Sequence, residues 1–214
     1  MKTIHLEARS KQIVRLPKKL MAKLPQRIAI FTTVQYVDSL ENMVGAIEKT
    51  GRRAGLGDAP HAVYGGQVLG CSNAEVRDCD AILFVGDGNF HPIALAVNSK
   101  KPVYVYNPLT KRDRLLDDDD IQPYQSRKLA SYAKFLHAEH IGILVSTKPG
   151  QNRMDKALEL IAAHDDKRFY IMAFGTLDIS QLENFPFIDC FVNTACPRLA
   201  DDEFPRPVIN IDDV

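Results

Sequence analysis

Strand-like apolar runs alternate with helix-period segments in two successive series, and that alternation narrows the folds open to this chain more than any other feature. The first series opens with RIAIFTT at Arg27, rich in β-branched and apolar residues. Val37, Leu40, Val44 and Ile47 then recur at helical spacing up to Lys49, ahead of a stop signal at Gly51. QVLGC at Gln67 reads as a strand, Asn73 to Cys79 as helical, AILFV at Ala81 as a strand, Pro92 to Asn98 as a short helix, and PVYVY at Pro102 as a strand. The four aspartates Asp117–Asp120 read as a solvated loop. A helix from Tyr124 to Glu139 opens the second series. HIGILV at His140 is a strand. Arg153 to Ala163 follows as a helix, with Met154, Ala157, Leu158 and Ile161 on one face. RFYIMA at Arg168 is a strand, Ile179 to Asn184 a helical turn, and IDCFV at Ile188 the final core strand. The pattern predicts an α/β chain of two similar units, 1–120 and 121–214, each a mostly parallel sheet flanked by helices. In such sheets ligands bind beyond the carboxyl ends of the strands, so the informative residues should follow strands directly.

Charge and composition exclude several classes. Over 214 residues, 27 Lys and Arg balance 27 Asp and Glu, so no net field draws the chain to nucleic acid or anionic membrane. The longest uncharged apolar stretch, Ala81 to Val85, falls far short of the roughly 20 residues a spanning helix needs. Glu7, Arg9 and Lys11 interrupt any signal-like run at the start. The expectation is a soluble, cytoplasmic protein with no membrane and no direct nucleic-acid partner. Its four cysteines are then core residues, metal ligands or redox thiols rather than a disulfide framework.

Four polar groups sit where strands are expected to end. Gly65-Gly66 and Gly70 bracket the approach to Cys71, and glycine lets backbone come close to a ligand. Gly86, Asp87, Gly88 and His91 follow the Ala81 strand and suit a cradle for a polar ligand. Lys148, Gly150 and Gln151 hold the equivalent place after the His140 strand, offering a cation and an amide to a carboxylate or phosphate. Asn193 to Arg198, including Cys196, follow the last strand. Each also has a plainer interpretation. Gly-Asp-Gly suits a turn, His91 a helix cap, Lys148 a solvated position, and Arg198 a partner for Asp201 or Asp202. Cys79 and Cys190 lie beside apolar runs and read as small core residues. No zinc-type cysteine spacing is present, although cluster ligands can converge from separate strand-end loops.

The strings GGQVLGC, FVGDGNFHPIALAV, TKPGQ and FVNTACPR closely resemble the archaeal diphthamide-synthesis enzymes, and IFTTVQYVDSL resembles the strand and helix that open their middle domain. The motifs run in the family's order over nearly the whole chain. Cys71 and Cys196 stand 125 positions apart, close to the spacing of the family's second and third cluster cysteines. The resemblance implies a [4Fe-4S] cluster held on three cysteines, one from each of three similar α/β domains, in a homodimer or heterodimer. It implies that S-adenosylmethionine is the co-substrate, and that its 3-amino-3-carboxypropyl group passes to a histidine of translation elongation factor 2. By this matching Cys71 and Cys196 are cluster ligands. Gly86, Asp87, Gly88 and His91, with Lys148, Gly150 and Gln151, line the site for the sulfonium ligand. Residues 1–120 correspond to the middle domain and 121–214 to the C-terminal one, with no counterpart of the first domain. Three readings stay open: an enzyme or enzyme subunit completed from elsewhere, a non-catalytic partner subunit, and a cluster-binding relative with another substrate.

Overall fold

The computed structural model describes residues 6–60, 62–69, 74, 76, 78–201 and 204–214. The chain divides into two compact units, Met1–Gln122 and Pro123–Val214. In the first, β1 (Arg27–Thr32), β2 (Arg53–Leu56), β3 (Ala81–Val85), β4 (Val103–Asn107) and β5 (Arg112–Leu115) form one sheet in the order β2-β1-β3-β4-β5. The first four strands are parallel and β5 pairs antiparallel with β4. Successive side chains on a strand face opposite ways, so two apolar layers are needed. Ile28, Ile30, Leu83 and Val85 pack with Leu20 of α1 (Lys18–Lys23) and with Met43 and Ile47 of α2 (Leu40–Glu48). Phe31, Ile82, Phe84 and Val105 pack with Leu95 and Ala96 of α3 (Phe90–Ser99) on the other face. Buried on both faces, β3 is apolar at every position, as central parallel strands are.

The second unit holds four parallel strands in the order β7-β6-β8-β9: β6 (His140–Ser146), β7 (Arg168–Phe174), β8 (Cys190–Asn193) and β9 (Val208–Asn210). Ile141, Ile143, Val145, Cys190 and Val192 pack with Phe135 of α4 (Asp118–His137) and with Ala157 and Leu160 of α5 (Met154–Ala163). Leu144, Ile188 and Phe191 fill the opposite face with Leu182 of a short 3-10 helix, Ile179–Asn184. Among the described residues no helix is long and apolar enough to cross a membrane.

Several elements depart from the sequence expectations. QVLGC is no strand in its described part: Gln67 makes a single bridge to Thr32, and Gly70 and Cys71 lie outside the described residues. Of the helical span expected at Asn73 to Cys79, Ala74, Val76, Asp78 and Cys79 are described and none is helical, while 73, 75 and 77 lie outside the described residues. The aspartates open a helix instead of filling a loop. Asp117 Oδ1 accepts the Asp120 backbone N–H at 3.1 Å, and Asp120 Oδ2 accepts that of Asp117 at 3.2 Å. This reciprocal cap satisfies two orphan donors, and acidic side chains complement the positive end of the helix. Leu158 is 55% exposed, and the buried face of α5 is Ala157 with Leu160. IDCFV is followed by one more strand, β9.

Candidate functional site

In the first unit the carboxyl ends of β1, β3 and β4 carry the polar groups. Thr32, fully buried, ends β1 and ties two neighbouring loops together. Its hydroxyl donates to the Val85 carbonyl at 2.6 Å. Its backbone N–H donates to Gly66 O at 2.7 Å, and its carbonyl accepts from Val68 N at 2.8 Å. The segment leading toward Cys71 is thereby stitched to β1 next to the loop that follows β3. Gln67, also buried, folds this segment on itself by accepting from the backbone of Val63 and Tyr64 at 3.0 and 3.2 Å.

The loop after β3 is short, running from Gly86 to Asn89 before α3 begins. Gly86 is buried, and a β-carbon there would come within 2.7 Å of the Phe84 ring. Asp87 is exposed, and its Oδ1 accepts from Asn107 Nδ2 at 2.7 Å, across from the end of β4. Gly88 is exposed at the crest of the loop, and Asn89 accepts from Arg114 at 3.1 Å. His91 is half-buried in the first turn of α3, stacked 5.8 Å from Phe84 and edge-on to Phe90 at 5.3 Å. Pro92 follows in that turn, where its missing N–H costs no helical bond. The Tyr36 ring is buried, and burial, with the nearby Asp87 charge, raises its hydroxyl above the ordinary value.

In the second unit the loops after β6 and β8 leave from neighbouring strands, since Leu144 pairs with Asn193. Lys148, Pro149, Gly150 and Gln151 form an exposed turn closed by Gln151 N to Lys148 O at 3.1 Å. Proline at its second position and Gly150 at its third, with φ of 77°, match the demand of a type II turn for positive φ there. Beside it, Cys196 is half-buried after β8. Thr194 anchors that turn through its N–H and its hydroxyl, both donating to Leu144 O at 3.0 and 2.9 Å.

Cys79 and Cys190 are withheld from such a site. Both are buried in the apolar layers, and burial pushes the Cys190 thiol up to about 12 and raises that of Cys79. A thiol that resists ionisation is a poor ligand, because metals take the thiolate. Among the described residues no three His, Cys, Asp or Glu side chains gather as a metal-ligating group. Among the described cysteines Cys196 alone is partly exposed and follows a strand directly into a loop, so it is the one of the three that could offer a thiolate to a metal. Sequence reasoning missed Thr32, Asn107 and the Arg153–Asp212 pair, and it took Asn193 only as the first of the polar residues after the last strand. The signal available for Thr32 was a polar residue closing an otherwise apolar strand.

Comparison with known proteins gives this arrangement a context. A family model for diphthamide synthesis proteins matches residues 2–214. The 2-(3-amino-3-carboxypropyl)histidine synthase of Pyrococcus horikoshii is 33% identical over 188 residues, covering 85% of this chain and 53% of that protein. The synthase of the same name from Methanocaldococcus jannaschii is 30% identical over 184 residues, covering 84% of this chain and 47% of that one. The chain thus spans about half the length of the curated relatives it matches. The crystal structure of Dph2 from Pyrococcus horikoshii superposes with a TM-score of 0.81 at 30% identity, covering 90% of this chain and 57% of that one. A second structure of that protein, with a 4Fe-4S cluster, gives 0.79.

Proposed function

The chain belongs to the diphthamide synthesis family, and from that premise we propose that it supplies two of the three thiolates of a [4Fe-4S] cluster in a 3-amino-3-carboxypropyl transferase. The observation that carries this is the division among the cysteines. Cys196 stands half-exposed at the end of β8, whereas Cys79 and Cys190 are buried with thiols that resist ionisation. Cys71, reached through the segment stitched to Thr32, is the second ligand, and a third thiolate comes from a further domain or a second family member in a homodimer or heterodimer. When bound, the cluster supplies the electron that breaks a carbon–sulfur bond of S-adenosylmethionine and frees the 3-amino-3-carboxypropyl group. Residues 1–120 and 121–214 correspond, on this reading, to the family's middle and C-terminal domains.

The chain's own residues bind and orient the co-substrate. Asp87, fixed by Asn107, offers a carboxylate to its cationic portion, with Gly88 leaving open space for close approach of backbone and Gly86 seating the loop on the Phe84 ring. Lys148, with Gly150 and Gln151 in one exposed turn, offers a cation and an amide to its carboxylate. His91, packed on Phe84, shapes the wall at the start of α3. The acceptor is a histidine of translation elongation factor 2, and the compartment is the cytoplasm.

Anaerobic incubation with S-adenosylmethionine and dithionite, alone and with a family member carrying the first domain, tests the proposal. Release of methylthioadenosine should require the added member and should vanish in Cys71→Ala and Cys196→Ala. No cleavage in any combination would favour a non-catalytic partner subunit.

A further inference from the structure

Asn193 is 1% exposed at the last position of β8, where Cys190, Phe191 and Val192 precede it as buried core residues. An amide in that position is costly unless its groups are bonded. Its Nδ2 donates to the Cys196 carbonyl at 2.9 Å and to Asn210 Oδ1 at 2.8 Å, and its Oδ1 accepts from Ala195 N at 3.0 Å. Asn193 and Asn210 are also register partners in the β8–β9 pair. Two residues beyond Asn210, the Asp212 carboxylate accepts from both terminal nitrogens of Arg153 at 2.7 Å each. Arg153 follows the Lys148–Gln151 turn. One short segment, Asn210–Asp212, therefore touches both the cysteine turn and the far end of the lysine loop.

We propose that Asn193, partnered by Asn210, is a positioning residue that fixes the backbone of Cys196 and so holds its thiol at the carboxyl edge of the second sheet. The Asp212–Arg153 pair registers the Lys148–Gln151 loop to the same segment. The importance of this for catalysis rests on the reading of Cys196 as a cluster ligand; the brace itself does not. A turn held before the ligand arrives spares the ordering cost at the moment of binding. Removing the Asn193 amide leaves the Cys196 carbonyl without that donor, and removing the Asn210 oxygen leaves one Asn193 Nδ2–H without its acceptor. Either change should let the turn open.

Alkylation of the metal-free full chain by iodoacetamide, followed cysteine by cysteine by mass spectrometry, tests this directly. Labelling of Cys196 should quicken roughly fivefold in Asn193→Ala and Asn210→Leu, the scale of one lost hydrogen bond in a local opening equilibrium. Asn210→Asp keeps an acceptor oxygen and should stay within about twofold of the parent. Cys79 and Cys190 should remain unlabelled throughout, which reports intact cores; if Asn193→Ala exposes Cys190, the two Asn210 variants decide. Unchanged Cys196 labelling in Asn210→Leu, or an equal rise in Asn210→Asp, would overturn the proposal. Failure of the cluster reading is seen separately, as equal iron content in the reconstituted parent and Cys196→Ala, and would leave the labelling comparison intact.

Discussion

At the scale of residues, burial sets the chemistry. Cys190 has its thiol pushed up to about 12 from an ordinary 9.0, with desolvation as the main cause and the Asp189 charge adding to it. An acid whose folded value is raised stabilises the fold fully below its unfolded value and loses that contribution as pH rises toward the folded one. Urea denaturation should therefore show stability falling between pH 9 and 10, with a shallower fall in Cys190→Ala; identical slopes would remove Cys190 as the cause. Gly86 is fixed by a different constraint, because a methyl there would meet the Phe84 ring at 2.7 Å. Gly86→Ala should cost about 1–3 kcal/mol in the same measurement, the usual range for overpacking. Both residues stood out in the sequence, Cys190 by its apolar neighbours and Gly86 by its place after a strand. Thr32 did not, and Asn193 stood out only as the start of a strand-end group, since the role of each lies in which carbonyl it reaches, Val85 for the one and Cys196 for the other.

Elements were legible where a period was clear and obscure where a local device replaced it. The buried runs of β1, β3, β6 and β8 could be read from β-branched and apolar content, and the turn Ile179–Asn184 from its helical spacing. The strands β2, β5 and β9 were not read. Arg53–Leu56 is a four-residue edge strand with no buried residue. Arg112–Leu115 is mostly charged and lies at the sheet edge, and Val208–Asn210 is three residues long. The start of α4 was hidden by Pro123 within it and by the acidic run that caps it. Asp120 has its carboxyl held below the ordinary 3.8, chiefly by its hydrogen bond to Arg114. Because the folded value is depressed, this contribution is present above pH 3.8 and is lost as pH falls through the lower folded value. Asp120→Ala should remove it together with the cap, costing about 1 kcal/mol at neutral pH. Its penalty should shrink toward pH 3, and an equal penalty at both pH values would show that the carboxylate is not the stabilising group.

At the scale of the molecule, the strand–helix alternation predicted two mostly parallel sheets flanked by helices, and the structure has one five-stranded and one four-stranded sheet of that kind. The family was readable from four strings at expected strand ends together with IFTTVQYVDSL, because loops that follow strands hold distinctive glycine, proline and cysteine combinations while apolar strands resemble one another. The proposed ligands Cys71 and Cys196 came from the family resemblance, and sequence shows the apolar neighbours of Cys79 and Cys190 but not the depth at which they sit. The central claim is that Cys71 and Cys196, and neither buried cysteine, hold iron. Anaerobic reconstitution with iron and sulfide, in the presence of a family member that carries the first domain but lacks its own Cys71 and Cys196 counterparts, followed by iron and sulfide analysis and visible absorption, measures it. Cys71→Ala and Cys196→Ala should each lose the iron and the brown chromophore, while Cys79→Ala and Cys190→Ala keep both. Full iron content in either of the first two, or its loss with Cys190→Ala, would contradict the account.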